Sequence, residues 1–299
     1  MKYPDFVIGG TLKSGTTSVF HYLSDHSEVT AANTKELQYF QDEGSCVFRE
    51  SANYNLHGIE KYAMLFNQSQ PENVFVEATP GYMYQNTALT AFAQELALKD
   101  TKIIFILREP VSKLISTFNY FSKTRLELDR NLNFEDYINL VKKKDFSLKW
   151  NEFLFDSIQH GQYVDYIEKW IKACGAHRIS VYLYEDLKHD NRNFMVNLAN
   201  DMGIESSFYE HYQFNRKNKT VNIKYHYLHK VVNQVKDFIP RSFIPQKIKK
   251  IYQDINRVEI AKTETVNEQL IDKLIMHYKP YNNRLENLLK IDLTKWQTY

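Results

Sequence analysis

Lys13-Ser14-Gly15-Thr16-Thr17-Ser18 gathers one ammonium, one glycine and four hydroxyls into a single short stretch. Phe6-Val7-Ile8 precedes it, an apolar run of the kind a buried strand shows. Gly9 and Gly10 raise the glycine density beyond what regular structure tolerates, so a loop follows the strand. From Thr16 the pattern turns helical, with Val19, Phe20 and Leu23 on one face. Strand, glycine-rich loop and helix aim free backbone N–H groups and a helix N-terminus at an anion. The segment therefore reads as a phosphate cradle, the alternative being an ordinary strand-to-helix turn.

The position of the lysine narrows the chemistry. A nucleoside-triphosphatase loop places its lysine directly after the last glycine, where it reaches the β- and γ-phosphates. Gly10 and Gly15 keep that spacing, but Thr16 occupies the lysine position and Lys13 precedes the last glycine. A lysine there sits on the loop itself, beside one phosphate group. That arrangement suits a donor with a single 5′-phosphate and a group to be transferred from it.

Two further charged residues are candidates. Glu36, in Asn33-Thr-Lys-Glu-Leu-Gln-Tyr-Phe40, is a carboxylate among apolar and aromatic neighbours. Such a setting can raise a carboxylate's pKa and hold it ready as a base; a surface glutamate beside a helix start is the alternative. Arg108 ends the apolar run Lys102–Leu107, at the strand end outside which α/β sheets bind ligands. Its fork can hold a second phosphate bidentately, or it forms a structural ion pair. The same strand end is where a magnesium-dependent kinase or ATPase carries its metal-holding aspartate, and an arginine there argues against that class. On the helix that follows, Val111, Leu114, Ile115 and Phe118 form the apolar stripe, and Ser116 lies off it.

These groups need a scaffold. Val74–Glu77, Lys102–Leu107 and Ile179–Tyr184 read as further strands, apolar enough to be covered on both faces. They alternate with helical patterns, which predicts an α/β fold: a single P-loop-like domain over residues 1–299, with a central parallel β-sheet flanked by helices. Asn86 is expected to cap one helix, and Arg125–Asn151 is expected to be helical and charged. The C-terminal helix through Leu270, Leu274 and Tyr278 is expected to stop before Pro280. Phe214–Thr220 concentrates Arg216, Lys217 and Lys219 without an apolar period, and reads as a basic lid over donor phosphates or as a plain basic loop. The Lys247–Lys250 cluster reads as a solvated face, with peripheral contact to a membrane surface or anionic glycan as its second reading.

Composition bounds the function. Hydrophobic residues make up 43% of the 299 residues and aromatics 14%, ample for a packed core. A net charge of +2 speaks against a nucleic-acid partner. Two cysteines, Cys46 and Cys174, exclude a disulfide framework and suggest a reducing compartment. No run of about 18 apolar residues appears, so no membrane span is expected. The early first strand leaves no room for a signal peptide, so a cytoplasmic enzyme is expected. The ten histidines show no metal-ligand spacing, and no metal is expected.

Taken together, these segments resemble the sulfotransferases that use 3′-phosphoadenosine 5′-phosphosulfate (PAPS), in particular the heparan-sulfate-type carbohydrate branch and its bacterial relatives. The likeness runs through Lys13–Ser18, Lys35–Phe40, Glu77–Tyr82, Leu107–Ser116, Gly161–Tyr163, Tyr278–Leu285 and Ile291–Trp296. The first and fourth of these, in this order and spacing, are the specific ones. The resemblance implies that Lys13 steadies the leaving phosphate and that Ser14, Gly15, Thr16, Thr17 and Ser18 bind the 5′-phosphate. It implies that Arg108 and Ser116 bind the 3′-phosphate, with Arg216, Lys217 and Lys219 a looser match to the loop that helps them. Glu36 matches the catalytic base of the heparan-sulfate-type enzymes. Ala78 stands where many relatives carry a lysine before the Thr-Pro turn, so that contact has no counterpart at this position. The implied reaction moves a sulfuryl group from PAPS to a hydroxyl or amine of a carbohydrate or lipid-linked glycan, without a metal. A P-loop kinase of small metabolites and a non-catalytic nucleotide- or glycan-binding protein on the same fold are the rival readings.

Overall fold

Strands that are apolar on both faces must be buried on both faces, and the chain meets that demand with one parallel sheet between two helical layers. The structure, a computed structural model, describes residues 1–129, 131–214, 221–223, 257–259 and 267–296. Arg216, Lys217, Lys219 and the Lys247–Lys250 cluster lie outside these residues. Strands β1 (Phe6–Gly10), β2 (Val29–Ala31), β3 (Val74–Ala78), β4 (Lys102–Leu107) and β5 (Ile179–Leu183) form the sheet in the order β2-β3-β1-β4-β5. All neighbours are parallel; Phe6 lies opposite Val76 on one side and Lys102 on the other. The expected central parallel sheet flanked by helices is therefore present, with β2 as a fifth strand at one edge.

Successive side chains along a strand leave on opposite faces, and β4 shows the result. Ile103, Phe105 and Leu107 join a core with Tyr62, Phe92 and Trp170. Ile104 and Ile106 join the opposite one with Phe20, Leu23, Leu198 and Met202. The helices that supply these layers are α1 (Thr16–Ser24), α2 (Tyr54–Ala63), α3 (Asn86–Gln94), α4 (Pro110–Asn119), α5 (Phe134–Lys142), α6 (Tyr163–Cys174), α7 (Tyr184–His189), α8 (Asn191–Met202) and α9 (Glu268–Leu289). A third apolar cluster joins α4, α5 and α9 through Phe118, Tyr137 and Leu274. From β1 the chain turns to one side for β2 and β3, then crosses to the other for β4. The strand order reverses at β1, and a crevice opens beyond its carboxyl end.

The fold corrects three local expectations. Asn86 is the first residue of α3 rather than its cap. Asp42 caps it instead from a distant loop, its carboxylate accepting from Asn86 N–H at 2.9 Å and Thr87 N–H at 2.6 Å. Pro280 does not end the last helix; α9 runs through it to Leu289. Both halves are clamped to the body, because Tyr278 Oη donates to Ile158 O at 2.9 Å and Arg284 bridges Asp165 and Glu168 of α6. The stretch 125–151 is not continuously helical. Leu126 takes φ 58°, Asn133 starts α5 by accepting from Asp136 N–H, and Lys144, at φ 51°, follows its end.

Arg178 holds the entry to β4. Its buried guanidinium donates to Thr101 O at 2.9 Å, Phe92 O at 2.9 Å and Leu98 O at 2.7 Å. Arg178→Met should leave the Thr101 and Phe92 carbonyls without this donor and Leu98 O with Thr101 N–H alone, and lower the unfolding free energy by about 3 kcal/mol. Urea denaturation checks this through the midpoint; an unchanged midpoint would show that the three bonds contribute nothing.

Candidate functional site

The loop after β1 is shaped by backbone conformations that few residues accept. Lys13 adopts φ 65° and Gly15 φ 78°, both left-handed. At Gly15 a β-carbon would also stand 2.6 Å from Leu187 Cδ2 and 3.1 Å from Tyr184, so only glycine fits. The buried hydroxyls of Thr11 and Ser14 share a hydrogen bond of 2.7 Å that pins the inner side of the loop. Helix α1 starts directly after Gly15, with three hydroxyl residues and no carboxylate in its first turn. Its N-terminal dipole is thus left to attract an outside anion.

Arg108 closes the other side. Its Nη1 donates to Lys13 O at 3.0 Å, and its guanidinium lies 4.7 Å from the centre of the Tyr184 ring. The strand end beneath it is fixed: Tyr163 Oη donates to Arg108 O at 2.7 Å, and Glu109 N–H donates to Glu185 at 3.0 Å. The Glu109 carboxylate in turn caps α4 by accepting from Val111 N–H and Ser112 N–H. A fixed arginine at a strand end and a fixed loop opposite it are what a bidentate anion clamp requires.

Lys13 places its ammonium 4.1 Å from the centre of the Tyr120 ring, with no carboxylate partner among the described residues. Burial first, and then the nearby Arg108 charge, push its pKa down to about 8, against a smaller upward pull from Glu36. Glu36 pairs with Lys35, and its side chain keeps 45% of its surface exposed. Its neighbours Leu37, Tyr39 and Phe40 point into the core instead, so the apolar pocket expected around the carboxylate belongs to them. Glu36 takes φ 63°, and its N–H donates to Ala78 O at 2.9 Å.

The segment carrying Glu36 is held from beneath by Glu77. This carboxylate is fully buried; burial pushes its pKa up to about 7 despite hydrogen bonds from Thr79 and Tyr62. Thr79 also accepts Gln38 N–H at 3.2 Å, and Tyr82 Oη accepts Tyr39 N–H at 2.9 Å. The turn after β3 therefore carries the Glu36 segment on its back.

One cleft of about 1350 Å³ brings Lys13, Gly15, Thr16, Thr17, Ser18, Glu36, Arg108 and Ser116 together. Ser14 is the exception among the expected residues inside the described chain, since its hydroxyl faces Thr11 in the interior. Sequence reasoning missed Tyr120 and Tyr184, the rings against the two cations, and Lys35, the partner of Glu36. Tyr184 directly follows β5, a strand-end position that marks it as a ligand-side residue once the sheet order is known.

A family profile for the sulfotransferase domain matches residues 3–274. The chain belongs to the sulfotransferase family. It is similar to the membrane-associated sulfotransferase kil1 of Dictyostelium discoideum, 35% identical over 121 residues, which cover 39% of this chain and 23% of that protein. It is also similar to mouse heparan sulfate glucosamine 3-O-sulfotransferase 3B1, 22% identical over 262 residues, covering 85% of this chain and 62% of that protein. The chain thus spans less than two thirds of the length of both relatives. Its fold matches the crystal structure of a sulfotransferase from Alicyclobacillus acidocaldarius with a TM-score of 0.69 at 20% identity, over 99% of this chain and 100% of that one. No helix among the described residues of this sulfotransferase-family chain is long and apolar enough to cross a membrane.

A lysine depressed in this way would make anion binding at the loop pH-dependent. In the free protein Lys13 is a cation below about pH 8 and loses its charge above it, while a bound anion favours the charged form. Affinity for adenosine 3′,5′-bisphosphate should therefore hold steady just below pH 8 and weaken above it, by up to about tenfold per pH unit. Lys13→Arg, which stays charged, should abolish that alkaline loss. Calorimetric titration across this window checks it, and identical profiles for both chains would contradict the assignment.

Proposed function

We propose that this chain transfers a sulfuryl group from PAPS to a hydroxyl or amine of a carbohydrate or glycolipid acceptor. The observation that carries the reading is the shared cleft: Lys13 and the α1 N-terminus, Arg108 with Ser116, and the Glu36 carboxylate all line it. The cradle fits a phosphate, because the left-handed Gly15 lets the backbone approach closely and the first turn of α1 carries no competing carboxylate. In this reading Gly15, Thr16, Thr17 and Ser18 hold the 5′-phosphate, and Arg108 with Ser116 holds the 3′-phosphate. PAPS supplies a sulfuryl group activated by its bond to phosphate.

The chain's own residues supply the rest. Glu36 takes the proton from the attacking acceptor atom, a role worth about 10²–10⁴-fold. Lys35 keeps that carboxylate in place through its ion pair. Lys13, desolvated and stacked on Tyr120, stabilises negative charge growing on the phosphate side of the breaking bond. Support for a carbohydrate acceptor comes from the relative named for heparan sulfate glucosamine.

Two substitutions test the roles separately. Glu36→Gln should keep the affinity for adenosine 3′,5′-bisphosphate and lose at least about a hundredfold in transfer of labelled sulfate from PAPS; transfer at the wild-type rate would remove Glu36 as base. Arg108→Ala should weaken adenosine 3′,5′-bisphosphate about a hundredfold and adenosine 5′-phosphosulfate by clearly less, the smaller loss being that of the contact to Lys13 O. Equal losses for both ligands would place Arg108 elsewhere than on the 3′-phosphate.

A further inference from the structure

The turn Thr294–Trp296 does not line the cleft, yet its contacts lead to the strand end that carries Arg108. The turn is firmly built. Glu286 of α9 accepts Leu293 N–H at 2.9 Å, Asp292 accepts Thr294 N–H at 2.8 Å, and Trp296 N–H donates to Leu293 O at 2.8 Å. Leu293 and Trp296 are buried in the core that also holds Leu107 and Tyr163.

A buried indole N–H needs an acceptor, and Trp296 Nε1 donates to Glu185 Oε2 at 2.9 Å. The other oxygen of that carboxylate, Oε1, accepts Glu109 N–H at 3.0 Å. On the opposite side, the Tyr163 ring centre lies 5.9 Å from that of Trp296, and Tyr163 Oη donates to Arg108 O at 2.7 Å. Arg108 O and Glu109 N–H belong to one peptide unit. Both of its polar atoms are thus held by side chains, and both of those side chains rest on Trp296. With its carbonyl and its N–H engaged, this peptide cannot rotate without breaking a hydrogen bond on each side. Glu185 also directly follows Tyr184, whose ring lies 4.7 Å from the Arg108 guanidinium. The indole therefore reaches Arg108 by two routes, through the peptide that bears it and through the neighbour of the ring it stacks on.

We infer that Trp296 is a positioning residue for the donor's 3′-phosphate: through Glu185 and Tyr163 it fixes the Arg108–Glu109 peptide, and with it the direction in which the guanidinium leaves the strand end. The inference rests on the reading of Arg108 as a ligand of the 3′-phosphate and adds the group that aims it. A bidentate pair demands a fixed fork. The turn thereby sets how strongly the chain separates a nucleotide that carries a 3′-phosphate from one that lacks it.

The test uses Trp296→Phe, which keeps an aromatic ring in the core and removes the indole N–H. Affinities for adenosine 3′,5′-bisphosphate and adenosine 5′-phosphosulfate are measured by calorimetric titration. The variant should bind the bisphosphate about fivefold more weakly, the loss of one hydrogen bond, and the phosphosulfate less than about twofold more weakly. A variant combining Trp296→Phe with Arg108→Ala should bind the bisphosphate no more weakly than Arg108→Ala alone, because a residue that acts through another adds nothing once that other is gone. Equal losses for the two nucleotides, a further loss in the combined variant, or an unchanged bisphosphate affinity overturns the inference. Glu185→Ala, which cuts the same connection one residue nearer to Arg108, should show the same selectivity, and it decides the matter if Trp296→Phe does not fold; equal losses there overturn the inference too. Failure of Arg108→Ala itself to weaken the bisphosphate selectively overturns the 3′-phosphate reading, and the inference with it. Selective loss in Arg108→Ala with none in Trp296→Phe or Glu185→Ala removes Trp296 alone and leaves that reading intact.

Discussion

The hydrogen bond from Arg108 to the carbonyl of Lys13 joins the two strands on which the site depends. It spans the direct pairing of β1 with β4, and the loop it grips carries Lys13 and Gly15 in left-handed conformations. The carbonyl that Arg108 grips is that of the residue whose ammonium rests on Tyr120, so the donor lysine and the arginine are positioned by one contact. Two cations held this close with no carboxylate between them are electrostatically uncomfortable. The downward shift of Lys13 records that discomfort, and an anion between them relieves it. The cleft is thus arranged for a polyanionic nucleotide by the same repulsion that makes it costly when empty of charge.

The opposite wall is built by a different device. Glu77, buried and pushed toward neutrality, orients Thr79, and Thr79 receives the backbone N–H of Gln38. A carboxyl on a central strand thereby sets the height of the segment that carries Glu36. Lys35 joins this arrangement, since its charge also reaches Glu77 and Lys13. The position of Glu36 therefore depends on polar groups beneath it, of which Thr79 lines the cleft and Glu77 does not.

Much of the scaffold was legible because parallel buried strands advertise themselves. Phe6–Ile8, Val74–Val76 and Ile103–Leu107 are apolar throughout, and each strand leads into residues that line the cleft. Lys13, Glu36, Arg108 and Ser116 were legible for the same reason: each lies a short, countable distance beyond a strand end or along a helix. Contacts between residues far apart in sequence were not legible. Asp42 caps α3 across more than forty residues, and Tyr120 and Tyr184 meet their cations only after the sheet is assembled. Pro280 misled because a local rule yielded to tertiary clamps at Tyr278 and Arg284. Glu36 misled in its surroundings, since its apolar neighbours in sequence face the core while the carboxylate faces the cleft.

The most direct measurement is a crystal structure of the chain soaked with adenosine 3′,5′-bisphosphate. The account predicts the 5′-phosphate against the backbone of Gly15–Ser18 with Lys13 beside it, and the 3′-phosphate between Arg108 and Ser116. Density for the nucleotide anywhere else, or with its two phosphates exchanged, would contradict it.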